Sequence, residues 1–181
     1  MNIFWLDNDP VKCAEYHCDK HVVKMIVEYT QLMSSAVRLA NAVRIVPVDK
    51  RKVYVLDGER MRDGKIINPK VYLATHLQHP CSVWVCDNLS NYMALRKLAL
   101  ALCKEYTKRY GKVHKCESII QDMPRPKLPR KTLTKLPQAM PDEYKSRSAV
   151  KAYRNYYIGA KSRFAEWRHT KVPAWFRKDM R

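Results

Sequence analysis

The sequence predicts a mainly α fold, a single compact helical domain with a small β-hairpin insertion. Its 181 residues are enough for one sizeable core and too few for two comfortable ones. Apolar residues recur at helical spacing over 10–41 and again over 90–110, and a third helix is expected over 149–167. Between the first two helices, 44–73 changes character: β-branched residues are frequent and two Asp-Gly pairs punctuate them.

Each element has a local reason. "NIFWL" reads as a short extended entry into the core. Asp9-Pro10 supplies an N-cap and a proline at the first helical position, which starts the helix over 10–41. "RIVPV", "KVYVLDGERM" and "GKIINPKVYL", with Asp57-Gly58 and Asp63-Gly64, predict a hairpin or a small patch of two or three strands. The polar "THLQHP" then leads into "CSVWV", read as a strand or a buried turn. From Ser90 onward, Tyr92, Leu95, Ala99, Leu102, Cys103 and Tyr106 form a stripe that ends at Gly111, a C′ residue. Prolines at 124, 126, 129 and 137 predict an extended loop over 124–137, and "KVPAWF" ends the last helix. No internal repeat divides the chain, so 1–181 is read as one domain.

Lys plus Arg number 35 against 17 Asp plus Glu, a net charge of +18, yet 46% hydrophobic residues and four Trp exclude a disordered basic tail. A folded basic body calls for a polyanion, and nucleic acid fits best because phosphate neutralisation releases condensed counterions. The expected partner is double-stranded DNA, bound by a monomer. Two stretches interleave cations with aromatics, "KEYTKRYGKVHK" and "YKSRSAVKAYRNYYIGAKSRFAEWRH". They nominate Arg109, Lys112, His114, Lys145, Arg154 and Lys161 as nucleic-acid contacts. No apolar run reaches the roughly 18 residues of a membrane span. Six cysteines suit a disulfide scaffold, but Asp7 and Asp9 interrupt the apolar stretch a signal peptide needs. Reduced thiols and a cytoplasmic setting are therefore expected.

The stretch "CAEYHCDKH" concentrates unusual chemistry. On one continuous helix, His17, His21, Lys24, Glu28, Gln31 and Ser35 form a single stripe beside an apolar face. That makes either an ionisable seam at the edge of the core or a solvated face with ordinary i,i+4 pairs. Glu28 is the carboxylate of interest, His17 and His21 its neighbours, and Lys24 an amine that needs burial or a second cation to act as a nucleophile. His17 and His21 also have metal-ligand spacing, with Cys13 one turn earlier and His76, His79, His114, Cys81, Cys86 and Cys116 elsewhere. No C-x₂-C pair exists and Cys81 to Cys86 is too wide, so no metal ligand and no cofactor is expected.

With these elements in hand, the order of motifs resembles the phage pyrimidine-dimer DNA glycosylase and AP lyase family. There, a short amino-terminal segment enters a long helix carrying His, Arg and Glu. A later family helix has a "KL-FL-KR-----E---RG" pattern, similar to "NLSNYMALRKLALALCKEYTKRYG" here. The family chain closes on "PTWYKYYG", similar to "VPAWFRK". The likeness covers the two major helices and the carboxyl end and leaves out 44–88. The opening, "HPCSVWV" and "QAMPDEYK" also look like a group of phage-encoded proteins. The resemblance implies a glycosylase-like helical fold, a catalytic glutamate at Glu28, a helper histidine at His17 or His21, and Lys24 as the cation where the family has Arg. It also implies a flipped nucleotide, base displacement through an imine made by the amino-terminal amine, and strand cleavage by elimination. The family frees that amine by removing the initiator Met before a small residue. Asn2 is bulky, which leaves Lys24, Lys20 or no amine at all as alternatives.

The leading expectation is a base-excision DNA glycosylase, with AP lyase activity as a further step, acting on damaged or modified bases. A base-modifying transferase with the same residues and a non-catalytic nucleic-acid-binding protein are the alternatives. A zinc-stabilised interaction module comes last.

Overall fold

Asp9 opens the first helix in the expected way. Its carboxylate accepts from the Val11 and Lys12 amides at 2.8 and 2.9 Å, and Pro10 takes the first helical position of α1 (Pro10–Tyr16). The computed structural model describes residues 1–176.

The unbroken helix expected over 10–41 is two helices. His17 and Cys18 are extended, with ψ of 132° and 161°, and α2 starts afresh over Asp19–Asn41. The break has a tertiary cause. Arg109 donates to the Glu15 and His17 carbonyls, each at 2.9 Å, and to the Asp19 carboxylate at 3.0 Å. A continuous helix commits those carbonyls to the Asp19 and His21 amides. Here the Asp19 amide donates to the Glu166 carbonyl instead.

At the centre, α2 packs on α4 (Leu89–Tyr110), and α1, α3 (Pro80–Asp87) and α5 (Cys116–Asp122) pack around the pair. Ile26, Met33 and Val37 of α2 and Leu95, Leu98 and Leu102 of α4 are fully buried. Each such side chain contributes about 1.5–3 kcal/mol relative to an exposed one. Asn88 caps α4 by accepting from the Asn91 amide, and Gly111 ends it at a φ of 64°, the left-handed region where a Cβ is costly. The stretch "CSVWV" is helical in α3, neither strand nor buried turn. His79 caps it and Pro80 sits at its first position, while Trp84 and Val85 bury against the central pair. That cap outweighs the β preference of the valines. α5 was not foreseen from the sequence.

The insertion holds two antiparallel hairpins. β1 (Arg44–Val48) pairs with β2 (Arg51–Val55), and β3 (Met61–Arg62) pairs with β4 (Lys65–Ile66). Asp63 and Gly64 both take positive φ, 48° and 73°, as a two-residue hairpin turn requires. Asp57-Gly58 turns the chain between the hairpins, not within one. The 124–137 loop is extended as expected and is pinned by side chains. Asn41 donates to the Arg125 carbonyl and accepts from the Lys127 amide, at 2.9 and 2.8 Å, and Asn91 holds Thr134.

The last helix is shorter than expected. α6 covers Ala149–Tyr156, a π-helical turn follows over Tyr157–Lys161, and Trp167 lies beyond it in the core. Gly159 faces the Tyr144 ring so closely that any Cβ there collides with it. Of the terminal "VPAWFRK", Trp175 and Phe176 pack on Tyr16, Tyr157 and Trp167, and Arg177 and Lys178 lie outside the described residues.

Candidate active site

The ionisable stripe divides into an inward half and an outward half. His17 and His21 point into the core, 0% and 6% exposed. His17 donates from Nδ1 to the Cys13 carbonyl at 2.7 Å. Its Nε2 accepts from the Tyr29 hydroxyl at 3.3 Å, which in turn accepts from the Phe4 amide. The Tyr157 hydroxyl and His21 Nδ1 share a hydrogen bond of 2.5 Å, and the imidazole packs on Phe4 and Phe164. Burial drives the His17 pKa down to about 4, with Arg109 adding to the effect. Burial, then the charges of His17, Lys161 and Lys24, drive His21 down to about 3. Both rings are neutral at pH 7, both nitrogens of His17 and Nδ1 of His21 are hydrogen-bonded, and both rings pack beneath the amino-terminal segment.

This burial carries a pH dependence. In the unfolded chain these imidazoles take protons below about pH 6.5, and in the folded chain only near pH 4 and 3. The unfolded state binds more protons between those limits, so stability is full above pH 6.5 and falls as the pH drops toward 4 and 3. Thermal melts between pH 7.5 and 4 are expected to show a steep loss that H17Q/H21Q flattens. The same variant costs about 1–3 kcal/mol per lost hydrogen bond at pH 7.5. An equally steep acid loss in the variant shows that other groups cause it.

Lys24 and Glu28 face outward, and a third group joins them from outside the helix. Lys24 Nζ lies 3.4 Å from Glu28 Oε1 and is 70% exposed. The Met1 amine lies 4.0 Å from Glu28 Oε2, and Glu28 keeps 17% exposure. The amine is brought there by the segment behind it. Ile3 and Leu6 are fully buried, the Phe4 amide donates to the Tyr29 hydroxyl at 3.0 Å, and the Leu6 amide donates to Cys13 Sγ at 3.2 Å. Tyr29 is the residue after Glu28, so the hydrogen bond that pins the segment also sets the amine beside the carboxylate.

His79 belongs to the same locality. Its Nδ1 accepts from the Cys81 amide at 3.2 Å, which leaves its ring proton on Nε2. Burial, then the charges of the Met1 amine and His76, hold its pKa below 6.5, while Glu28 acts in the opposite sense. Sequence reading treated His79 only as a spare metal ligand. The His-Pro pair ahead of an apolar run was the missed signal, since that order marks a capped helix start.

The expected phosphate contacts fare unequally. Arg109 has a fully buried side chain engaged by Glu105, Asp19 and the carbonyls of 15 and 17, where it clamps the break between α1 and α2. Arg154 donates to the Leu6 carbonyl and Asp7 and lies over the Tyr16 and Trp175 rings, which also commits it to the fold. His114 Nδ1 accepts from the Cys116 amide at the start of α5. Lys161 bonds the Tyr156 hydroxyl, Lys145 pairs with Asp142, and Lys112 is exposed.

A cleft of about 180 Å³ opens between Trp5, Trp84, Leu133, Leu136 and Val150, and none of His17, His21, Lys24 or Glu28 lines it. Among the described residues, no three His, Cys, Asp or Glu side chains stand within reach of one metal ion. All six cysteines are free thiols, and burial raises Cys13 to about 12. No helix among the described residues is long and apolar enough to cross a membrane.

Comparison with known families adds the deciding observation: the family model for pyrimidine dimer DNA glycosylase matches residues 1–118. The chain belongs to the pyrimidine dimer DNA glycosylase family. The matched stretch contains Met1, Lys24, Glu28 and His79, and membership in a DNA glycosylase family makes DNA the expected substrate. The family match also spans 44–88, which the motif resemblance did not reach, and it stops before the carboxyl-terminal "VPAWFRK". No curated protein and no solved structure matches the chain.

Proposed function

We propose that the protein excises damaged bases from double-stranded DNA as a monomer, with the Met1 amine as nucleophile and Glu28 as the central carboxylate, and that a lyase step follows. The observation that carries this reading is the meeting of that amine with Glu28 Oε2 at 4.0 Å, on a carboxylate that solvent still reaches. Of the two amines beside Glu28, the terminal one is held in place by the buried segment behind it, whereas Lys24 is 70% exposed.

The chemistry balances with these groups. The amine lone pair forms a bond to C1′ of the flipped nucleotide while the glycosidic bond breaks and the base leaves with its electron pair. The sugar ring oxygen then leaves C1′ and takes up a proton, which gives a C1′ imine. Loss of a C2′ proton expels the 3′ phosphate and cuts the strand. Glu28 stabilises positive charge at the sugar and carries protons between these steps, and Lys24 offers its exposed ammonium to a flanking phosphate. His79, with a proton on Nε2, is a second donor at the same place.

Borohydride reduction during reaction with oligonucleotides carrying a pyrimidine dimer or an abasic site tests the scheme. A covalent protein–DNA adduct is expected, with peptide mapping assigning it to the amino-terminal residue, and Lys24→Arg should still trap. An adduct on Lys24 or Lys20 reassigns the nucleophile. Base release with no adduct on any lesion removes the imine.

A further inference from the structure

The insertion concentrates positive charge where the catalytic groups do not. Across 44–66, seven lysines and arginines are exposed against three exposed aspartates, while Glu59, the one other acid, is buried against Arg38. Among the described residues, the side chains of Arg44, Arg51, Lys52 and Lys65 form no ion pair. Arg109, by contrast, is fully buried in ion pairs, and Arg154 is paired with Asp7.

The β1–β2 ribbon has one covered face and one open face. Its register pairs Val46 with Val53 and Val48 with Arg51, and Val48 closes over Gly64 of the second hairpin, 3.1 Å from where a Cβ would stand. The opposite face carries the Ile45–Tyr54 and Pro47–Lys52 pairs, with Ile45 54% exposed. The arm is held rigidly from below. Arg38 uses all of its guanidinium nitrogens on the Tyr54, Val71 and Tyr72 carbonyls and on both Glu59 oxygens.

We propose that this ribbon is a duplex-DNA grip that binds on one side of the nucleotide being excised. A two-stranded ribbon fits the major groove, its cations meet the phosphates that border the groove, and Ile45 and Pro47 meet apolar base edges. The insertion leaves α2 at its carboxyl end. The 13 residues from Glu28 to Asn41 span about 20 Å of helix, or roughly six base pairs of duplex at 3.4 Å each. The grip therefore acts on the duplex beyond the reacting nucleotide. The inference rests on the family's action on DNA and not on the identity of the nucleophile.

The test compares K50A/K52A, at the turn and on the open face of the ribbon, with K12A/K97A, two exposed cations outside the insertion, in the full chain. Binding to an undamaged duplex is measured by anisotropy over a salt series. The ribbon variant is expected to lower the log–log salt slope by about 0.9 for each phosphate it no longer neutralises, and the control variant to leave it near the wild type. Trimming the duplex to fewer than about six base pairs on one side should weaken the wild type and not the ribbon variant. Single-turnover excision at saturating DNA stays unchanged in both. An unaltered slope, an equal fall in the control, or an equal loss on single-stranded DNA overturns the grip. If the wild type excises nothing while the slope difference holds, the glycosylase chemistry fails and the ribbon stands.

Discussion

Glu28→Gln is expected to lower single-turnover base excision by about 10²–10⁴-fold, the range that a positioned acid or base commonly supplies. Glutamine keeps the size and the hydrogen-bonding reach of the side chain but cannot carry negative charge or accept a proton as a carboxylate does. The Met1 amine and Lys24 then lose their common anion. Glu28 keeps 17% exposure and its partner Lys24 is 70% exposed, so the melting temperature should move little. DNA affinity should hold within about a factor of two or tighten, because one negative charge facing phosphates has gone. Affinity, melting temperature and rate falling together assign Glu28 to the fold. A near-normal rate with intact binding moves the chemistry to another carboxylate.

Arg38→Ala is expected to destabilise the fold by about 3–5 kcal/mol, since it leaves the Glu59 carboxylate buried without its partner. Both side chains are fully buried and meet at 2.9 and 3.0 Å. Burial alone raises the Glu59 carboxyl, but hydrogen bonds from Arg38 and from the Leu56 and Lys70 amides outweigh it and hold the pKa below 4.5. At roughly 2–4 °C per kcal/mol for a chain of this size, the melting temperature should fall by about 10 °C. Arg38→Met with Glu59→Leu should cost less than the sum of the single changes, because neither charge is then stranded. Equal costs for single and double variants show that the carbonyls of 54, 71 and 72, and not the ion pair, are the group Arg38 serves. The double variant also reports on the DNA grip, since an unanchored ribbon weakens duplex binding even with every surface cation in place.

The reading of Glu28 illustrates what spacing can and cannot reveal. The i,i+4 relation of Lys24 to Glu28 is local, and the structure contains it at 3.4 Å. The same wheel placed His17 and His21 on that face, but α2 begins only at Asp19, so His17 was never part of its stripe. The cause lies 92 residues away, in Arg109, whose spacing among tyrosines and lysines suggested a surface cation. Nothing near Arg109 in the chain states that Glu15, His17 and Asp19 await it. The Met1 amine is a parallel case: its position beside Glu28 follows from Phe4 and Leu6 binding Tyr29 and Cys13.

What the chain alone decided is what depends on neighbours within a turn or two. Asp9-Pro10 and Gly111 set helix ends, Asp63-Gly64 set a hairpin turn, the apolar stripe of α4 set a buried face, and the excess of lysine and arginine set a net charge of +18. The tertiary structure alone decided which ionisable groups meet. Periodicity tells which side chains share a face of a helix, but the partners that cover the face determine whether it meets core or solvent. Those partners, Tyr157 on His21, Arg109 on His17 and Met1 on Glu28, come from distant parts of the chain or from outside the helix itself.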